Sequence, residues 1–318
     1  MTSTASDPSG PARSAPDAHT APPQAQQLPP DEDLIERADR CIAAALEGGA
    51  LQPIRTEQDW LEEAGLSFSV RWVSSLALKD RARVDTVTRK RADFNPFLPP
   101  EAALTVAELG AHHRLVLNKF PVIERHLLVV TRDFEDQSEP LDAADLGALG
   151  AIMAAHGGLG FYNGGPVAGA SQRHKHLQWV PASASRLGSF VPAPTTAHVN
   201  AAGTVFDNPL LPWAHAFVRL DAALWNEPAT LGATLHAAFA RACAALGLQP
   251  TAQPMPPYNL LLTREVLLLV PRTQEKWLDV SINSLAYAGS LFVRDRAQIE
   301  ALRSVGPLAV LAAVGRTR

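Results

Sequence analysis

Apolar side chains recur at helical spacing in three stretches of the chain. Leu34, Ile35, Ala38, Cys41, Ile42, Ala45 and Leu46 share one face of a 3.6-residue period behind an acidic start, and Gly48-Gly49 stop it. A stretch rich in Ala and Leu from Leu141 to His156, ended by Gly157-Gly158, predicts a second helix. Leu231, Leu235, Phe239, Cys243 and Leu246 predict a third. Elsewhere the apolar runs are short and rich in strand-forming side chains. Residues 68–74, 114–118, 126–131, 159–163, 174–180, 259–263 and 265–270 read as strands. Helices and strands alternate irregularly, without a fixed repeat, so the predicted fold class is α+β.

Two stretches lack either period. Residues 1–30 hold seven prolines and no aromatic side chain and are expected to form a disordered tail rich in Pro, Ala and Ser. Residues 181–212, including the run VPAPTT, are the expected boundary or crossing loop. The predicted organisation is therefore a tail (1–30), a region 31–195 and a second region 196–318 whose regular structure begins near Trp213.

Composition narrows the function classes. Of 318 residues 47% are apolar and 19% charged, as in a folded soluble protein, and 28 Lys+Arg against 32 Asp+Glu leave a net charge of −4. No global positive field draws this chain to nucleic acid or an anionic membrane, so an anionic ligand needs a local pocket. The longest apolar pieces, Val266–Val270 and Pro307–Val314, fall far short of the ~18 residues that cross a bilayer. The N-terminus has no basic region followed by an apolar one, and the two cysteines, Cys41 and Cys243, have no CxxC neighbour. A cytoplasmic protein without a disulfide framework or a cysteine zinc site is expected.

The chemistry is concentrated around 164–180. In a strand, His174, His176 and Gln178 share one face while Lys175, Leu177 and Trp179 share the other. Three hydrogen-bonding side chains on one face suit a polar ligand. The preceding loop, Gly164 to Gln172, is built of small residues that let backbone N–H groups approach an anion, and Ser171 and Gln172 add side-chain donors. A phosphate cradle beside a neutral imidazole suggests a phosphohistidine-type intermediate. His-x-His also occurs as a metal-binding pair, a surface feature or a satisfied core group. Here a third Cys or His is missing nearby and Gln178 is a poor metal ligand, so no protein metal site is expected.

At this point the chain resembles a family. LNKFPVIERHLLVVTR at 117–132 and YNGGPVAGASQRHKHLQWVP at 162–181 are similar to the diadenosine tetraphosphate phosphorylases, or ATP adenylyltransferases, of the histidine-triad and galactose-1-phosphate uridylyltransferase superfamily. The likeness continues through LQPIRTEQ at 51–58, VRWVSSLALK at 70–79, NPFLPPE at 95–101, LPWAHAFVRL at 211–220, YNLLLTRE at 258–265 and VSINSLAYAGSLFVR at 280–294. It implies a histidine-triad-like, mostly antiparallel sheet with flanking helices, with 31–195 as the catalytic region and 196–318 completing the nucleotide site. The implied reaction is phosphorolysis of diadenosine tetraphosphate to ATP and ADP. His176 would carry AMP covalently, His174 would orient it, and Gln178 would hold phosphate oxygens where hydrolases of the superfamily have a third His.

The resemblance also implies that Asn118 meets ribose hydroxyls, Lys119 and Lys79 approach the phosphates, and Asn163 with Gly169, Ala170, Ser171 and Gln172 cradles the reacting phosphate. Asn283, Ser284, Leu285, Ser290 and Arg294 would line the substrate site from the second half. Arg294 stands where Lys is usual and Ser290 where Met is usual, which changes geometry and adenine packing there. His126 is expected to have a packing role. Lys79, Lys119, Arg173, Lys175 and Arg294 are the basic groups available against the polyphosphate, although Lys175 points away from His176 in a regular strand. The implied partners are diadenosine polyphosphates, ATP, ADP and inorganic phosphate, with Mg²⁺ carried by the substrate. The chain is expected to be a monomer, with a dimer as the alternative. A related nucleotidyltransferase with another donor or acceptor, or a silent dinucleotide binder, remains as a competing reading.

Overall fold

The computed structural model describes residue 1 and residues 33–73, 94–192 and 201–318. The expected tail and Lys79 lie outside the described residues.

Helix α1 (Leu34–Glu47) starts where Asp33 accepts hydrogen bonds from the N–H groups of Ile35 and Glu36, which would otherwise be unpaired in the first turn. Two strands follow, β1 (Thr56–Glu63) and β2 (Leu66–Val73). Next come β3 (Thr105–Leu109), β4 (His113–Leu117) and β5 (Leu127–Thr131). Helix α2 (Ala143–His156) opens with a capping box between Asp142 and Asp145. It leads into β6 (Leu159–Gly164) and β7 (His176–Val180). The second half contains β8 (Val205–Phe206), β9 (Ala216–Arg219), helix α3 (Pro228–Ala245), β10 (Tyr258–Leu262) and β11 (Val266–Pro271). It ends with β12 (Lys276–Trp277), β13 (Val280–Ser281), β14 (Ser290–Val293) and helices α4 (Arg296–Val305) and α5 (Pro307–Val314).

Among the described residues nine strands form one antiparallel sheet in the order β3-β4-β5-β7-β6-β10-β11-β9-β8. The expected α+β class with a mostly antiparallel sheet is what the chain forms. The sheet runs through both halves, because β6 pairs with β10 from Tyr258↔Gly164 to Leu262↔Gly160.

Alternation along the strands divides the core in two. Leu115, Leu117, Leu127, Val129, Leu177, Trp179 and Tyr162 face one side and pack with α1, α2 and α3. Helices α2 and α3 meet at glycines: a Cβ on Gly232 would lie 2.2 Å from the carbonyl oxygen of Ala143. Leu159, Phe161, Phe217, Leu261 and Leu268 face the other side, under Phe68, Val70, Leu285 and Leu291. The smaller sheet there has β2 antiparallel to β1 and parallel to β14. This second layer covers the β6-β10-β11-β9 half of its face. Beyond it, over β4, β5 and β7, the same face carries Val116, Leu128 and Val130 with Phe97.

No single helix among the described residues is long and apolar enough to cross a membrane. Cys41 and Cys243 are both free.

Candidate active site

Strand β7 lies between β5 and β6, with His176 opposite Val130 and Gln178 opposite Leu128 and Phe161. Regular pairing begins at His176, two residues past the predicted start, and His174 makes only an isolated bridge to Asp136. All three polar side chains are buried: His174 is 2% exposed, His176 4% and Gln178 8%. The rings of His174 and His176 both pack on Phe97, at 5.6 and 5.5 Å between centroids.

Each imidazole is oriented by hydrogen bonds. Nδ1 of His176 lies 2.8 Å from the carbonyl oxygen of His174, and a carbonyl only accepts, so this nitrogen carries the proton. Nε2 then holds the lone pair, and no hydrogen bond joins it to another described residue. Burial, foremost, pushes the His176 pKa down to about 4; the bond to His174 partly opposes this and the nearby His174 ring adds to it. The ring is therefore neutral at pH 7. Its strand is clamped by buried Gln137, whose Oε1 accepts from the His176 N–H at 2.8 Å while its Nε2 donates to the carbonyls of Asn163 and His176.

His174 uses its own ring to hold the turn. Nε2 lies 2.8 Å from the Thr131 carbonyl, and Nδ1 lies 2.9 Å from Nδ2 of Asn95. Burial lowers its pKa as well. What reaches His176 by hydrogen bond is the backbone carbonyl of His174.

Gln178 is set by a residue outside the expected catalytic set. His126 Nε2 lies 2.9 Å from Gln178 Oε1, and His126 Nδ1 lies 3.0 Å from Asn118 Nδ2. Asn118 Oδ1 in turn accepts from the Phe120 N–H, which leaves Nδ2 to donate to His126. His126 then donates through Nε2 to Gln178 Oε1, so the Gln178 N–H₂ is the part left free for a ligand. Burial pushes His126 down to about 4, opposed by the Gln178 bond and assisted by the nearby His176 ring. The expected packing role omits this orienting bond. A strand-starting His carries no signal of it, because the contact spans 52 residues and depends on the β5–β7 register.

The loop after β6 curves tightly. Gly169 has φ +90°, and a Cβ there would lie 2.6 Å from the carbonyl oxygen of Ile282. The Gly169 and Ala170 N–H groups donate to the carbonyls of Pro166 and Gly165, so these two amides hold the turn instead of facing outward as the cradle reading requires. Ser171 is exposed and Gln172 half-buried. Asn163 Oδ1 lies within 2.9 Å of Asn259 Nδ2 and Ser284 N and 2.7 Å of Ser284 Oγ. Asn283 caps the turn at 284–288 by accepting from the Leu285 N–H, and Leu285 is in the core under the small sheet. Ser290 Oγ donates to the Ala184 carbonyl.

The basic side chains expected against the polyphosphate are ion-paired where the structure describes them. Lys119 pairs with Glu101, Arg173 with Asp136 at 2.8 Å, Lys175 with Glu135 and Asp145 at 2.6 and 3.2 Å, and Arg294 with Asp279 at 3.3 Å. Carboxylates spaced along this slightly acidic chain thus pair with the four of the five expected cations that are described. Of these groups, Lys175 and Asp145 are buried behind β7, on the face away from His176, while Glu135 is partly exposed. Among the described residues no group of three or more His, Cys, Asp or Glu side chains is placed to hold a metal ion.

The model of the Ap4A (diadenosine tetraphosphate) phosphorylase N-terminal domain matches residues 24–198, and that of the ATP adenylyltransferase C-terminal domain matches residues 209–317. The chain is 28% identical over 303 residues to diadenosine 5′,5′′′-P1,P4-tetraphosphate phosphorylase 2 of Saccharomyces cerevisiae, covering 86% of this chain and 90% of that protein. It is 29% identical over 227 residues to Protein APA1 of the same yeast, covering 63% and 69%. The crystal structure of yeast Ap4A phosphorylase Apa2 superimposes with a TM-score of 0.71 at 25% identity, covering 90% of this chain and 98% of that one. Its complex with AMP gives 0.70 at 27% identity, covering 90% and 97%.

Proposed function

The chain belongs to the Ap4A phosphorylase and ATP adenylyltransferase family, and on that premise we propose that it converts diadenosine tetraphosphate and inorganic phosphate into ATP and ADP through an adenylyl group carried on His176. The observation that carries the reading is the His176 ring itself: neutral, with Nδ1–H given to a carbonyl and the Nε2 lone pair not engaged by another described residue.

In the first displacement Nε2 attacks the α-phosphorus. An N–P bond forms, the bond to the bridging oxygen breaks, and ATP leaves with that oxygen. In the second an oxygen of inorganic phosphate attacks the same phosphorus, the N–P bond breaks, and AMP departs as ADP. The His174 carbonyl, holding Nδ1–H, stabilises the positive charge that develops on the ring as Nε2 bonds to phosphorus. Gln178, its oxygen held by His126, donates its N–H₂ to a phosphate oxygen, and Asn163 donates beside it.

Asn118 is assigned to ribose hydroxyls and Lys79 and Lys119 to the phosphates, with the 283–285 segment, Ser290 and Arg294 at the far nucleotide. Mg²⁺ is assigned to the polyphosphate itself, where it offsets phosphate charge. The protein is proposed to act as a cytoplasmic monomer.

Purified protein with diadenosine tetraphosphate and Mg²⁺ should yield ATP and ADP only when phosphate is added, read by product chromatography. Acid-sensitive label from adenine-labelled substrate should stay on denatured wild-type protein when phosphate is left out. Turnover without any trapped adduct would exclude the covalent route.

A further inference from the structure

Arg272 follows β11 and is 4% exposed. Its guanidinium donates from Nε to the Val314 carbonyl at 3.1 Å, from Nη1 to Asn259 Oδ1 at 2.6 Å and the Ile282 carbonyl at 2.9 Å, and from Nη2 to the Gln274 and Glu275 carbonyls at 2.7 and 3.2 Å. Nη1 also reaches the Ala168 carbonyl at 3.3 Å, and the Tyr287 ring lies 5.6 Å from the guanidinium carbon. None of these hydrogen bonds ends on a carboxylate. Glu275, whose charge favours the cation from nearby, directs its own carboxylate to Ser281 Oγ at 2.7 Å.

A buried guanidinium satisfied only by neutral oxygens keeps much of its desolvation cost, and an apolar side chain would fill the same volume at less expense to stability. What an apolar residue cannot do is orient amides. Because Arg272 occupies Asn259 Oδ1, the Asn259 N–H₂ turns to Asn163 Oδ1, the Ala168 carbonyl and Ser284 Oγ, each at 2.9 Å. Asn163 Oδ1 is thereby saturated, and the N–H₂ group is the part of that amide left to meet a ligand. Asn163 lies on the face of β6 that also carries Phe161, the residue opposite Gln178.

We propose that Arg272 is a positioning residue: its fork, acting through Asn259, fixes the Asn163 amide with the N–H₂ toward the polyphosphate and pins the Ala168 carbonyl so that loop 165–172 keeps its curve. The proposal rests on the phosphorylase reading above. It also gives the second half a defined task in a site whose nucleophile lies in the first.

The test is a double-mutant cycle on full-length protein: wild type, Arg272→Lys, Asn163→Ala and the double variant. Steady-state phosphorolysis is measured together with calorimetric binding of tripolyphosphate, a readout independent of turnover, and circular dichroism controls for folding. Each single variant should lower kcat/KM at least tenfold, and the double variant no more than threefold below the worse single one. Independent, multiplicative losses would overturn the proposal. So would wild-type behaviour of Arg272→Lys, since lysine keeps the charge without the planar fork. If Arg272→Lys fails to fold, Asn259→Ser replaces it in the same cycle with the same two outcomes. If wild-type protein binds tripolyphosphate without forming ATP and ADP, the phosphorylase reading fails while the cycle, read on binding alone, still decides the role of Arg272. Protein that neither binds nor turns over overturns both.

Discussion

The two faces of β7 hold their polar groups in opposite ways. In front, His176 and Gln178 meet only neutral partners: a backbone carbonyl, another imidazole, and Phe97. Behind, Lys175 is 2% exposed and meets Glu135 and Asp145, and Asp145 also lies 2.8 Å from His113. Burial pulls the Lys175 pKa down, but the two carboxylates outweigh it and the net shift is upward. For Asp145 burial pushes up, the bond from His113 and the charge of Lys175 outweigh it, and the net shift is downward. Charge behind the strand is thus satisfied locally. The front is left uncharged and pre-oriented, as the nucleophile proposed above would require. A single alternation of side chains separates anchoring from chemistry.

Substitutions can break that division. The largest effect belongs to the front: if His176 is the nucleophile proposed above, His176→Ala should reduce phosphorolysis by about 10⁴-fold or more, with a melting temperature near that of the wild type. Collapse of the fold in that variant would give the front an anchoring role as well. Next is the back. Lys175→Met leaves the buried Asp145 carboxylate without its cation and should cost about 3–5 kcal/mol in urea unfolding, while turnover per folded molecule stays within threefold. Loss of turnover in a stable Lys175→Met protein would mean that the faces are not separate.

The smallest effect comes from protons. His126 and His176 stay neutral in the fold down to about pH 4, whereas the unfolded chain takes up these protons near 6.5, the ordinary value for histidine. Between those values the unfolded state binds more protons, so stability is full above about pH 6.5 and declines as pH falls toward 4. Each ring accounts for about 2 kcal/mol of the loss by pH 5. Urea titrations at pH 7.5 and pH 5 should show a smaller difference for His126→Asn than for the wild type. An equal difference would show that His126 is not held neutral.

Much of the fold can be read from the chain because pattern and packing agree there. The helix ending at Gly157 and the strands around 127–131, 159–164 and 258–271 have apolar runs with clear stops. Strand β1 is different. TEQDWLEE buries Leu61 alone, so its polar positions look like a loop until pairing with β2 is known. Strand β14 is likewise defined by its parallel partner instead of its own short sequence. In the site, HKHLQ announces itself through alternation. His126, Asn95, Gln137 and Arg272 do not, since each acts through a contact whose partner is fixed only by sheet register or loop closure. The four paired cations show the same limit from the other side: a lysine or arginine is visible in a sequence, but the carboxylate that neutralises it is not.

The pairing of β6 with β10 also sets a schedule for synthesis. Leu159–Gly164 is made nearly a hundred residues before Tyr258–Leu262, and until the later strand arrives β6 presents a row of unpaired backbone groups along an apolar edge. Asn163 waits for Asn259 over the same interval. A nascent chain carrying the complete HKHLQ segment therefore still has an open, adhesive border, and it is in this window of translation that the polypeptide is most exposed to aggregation.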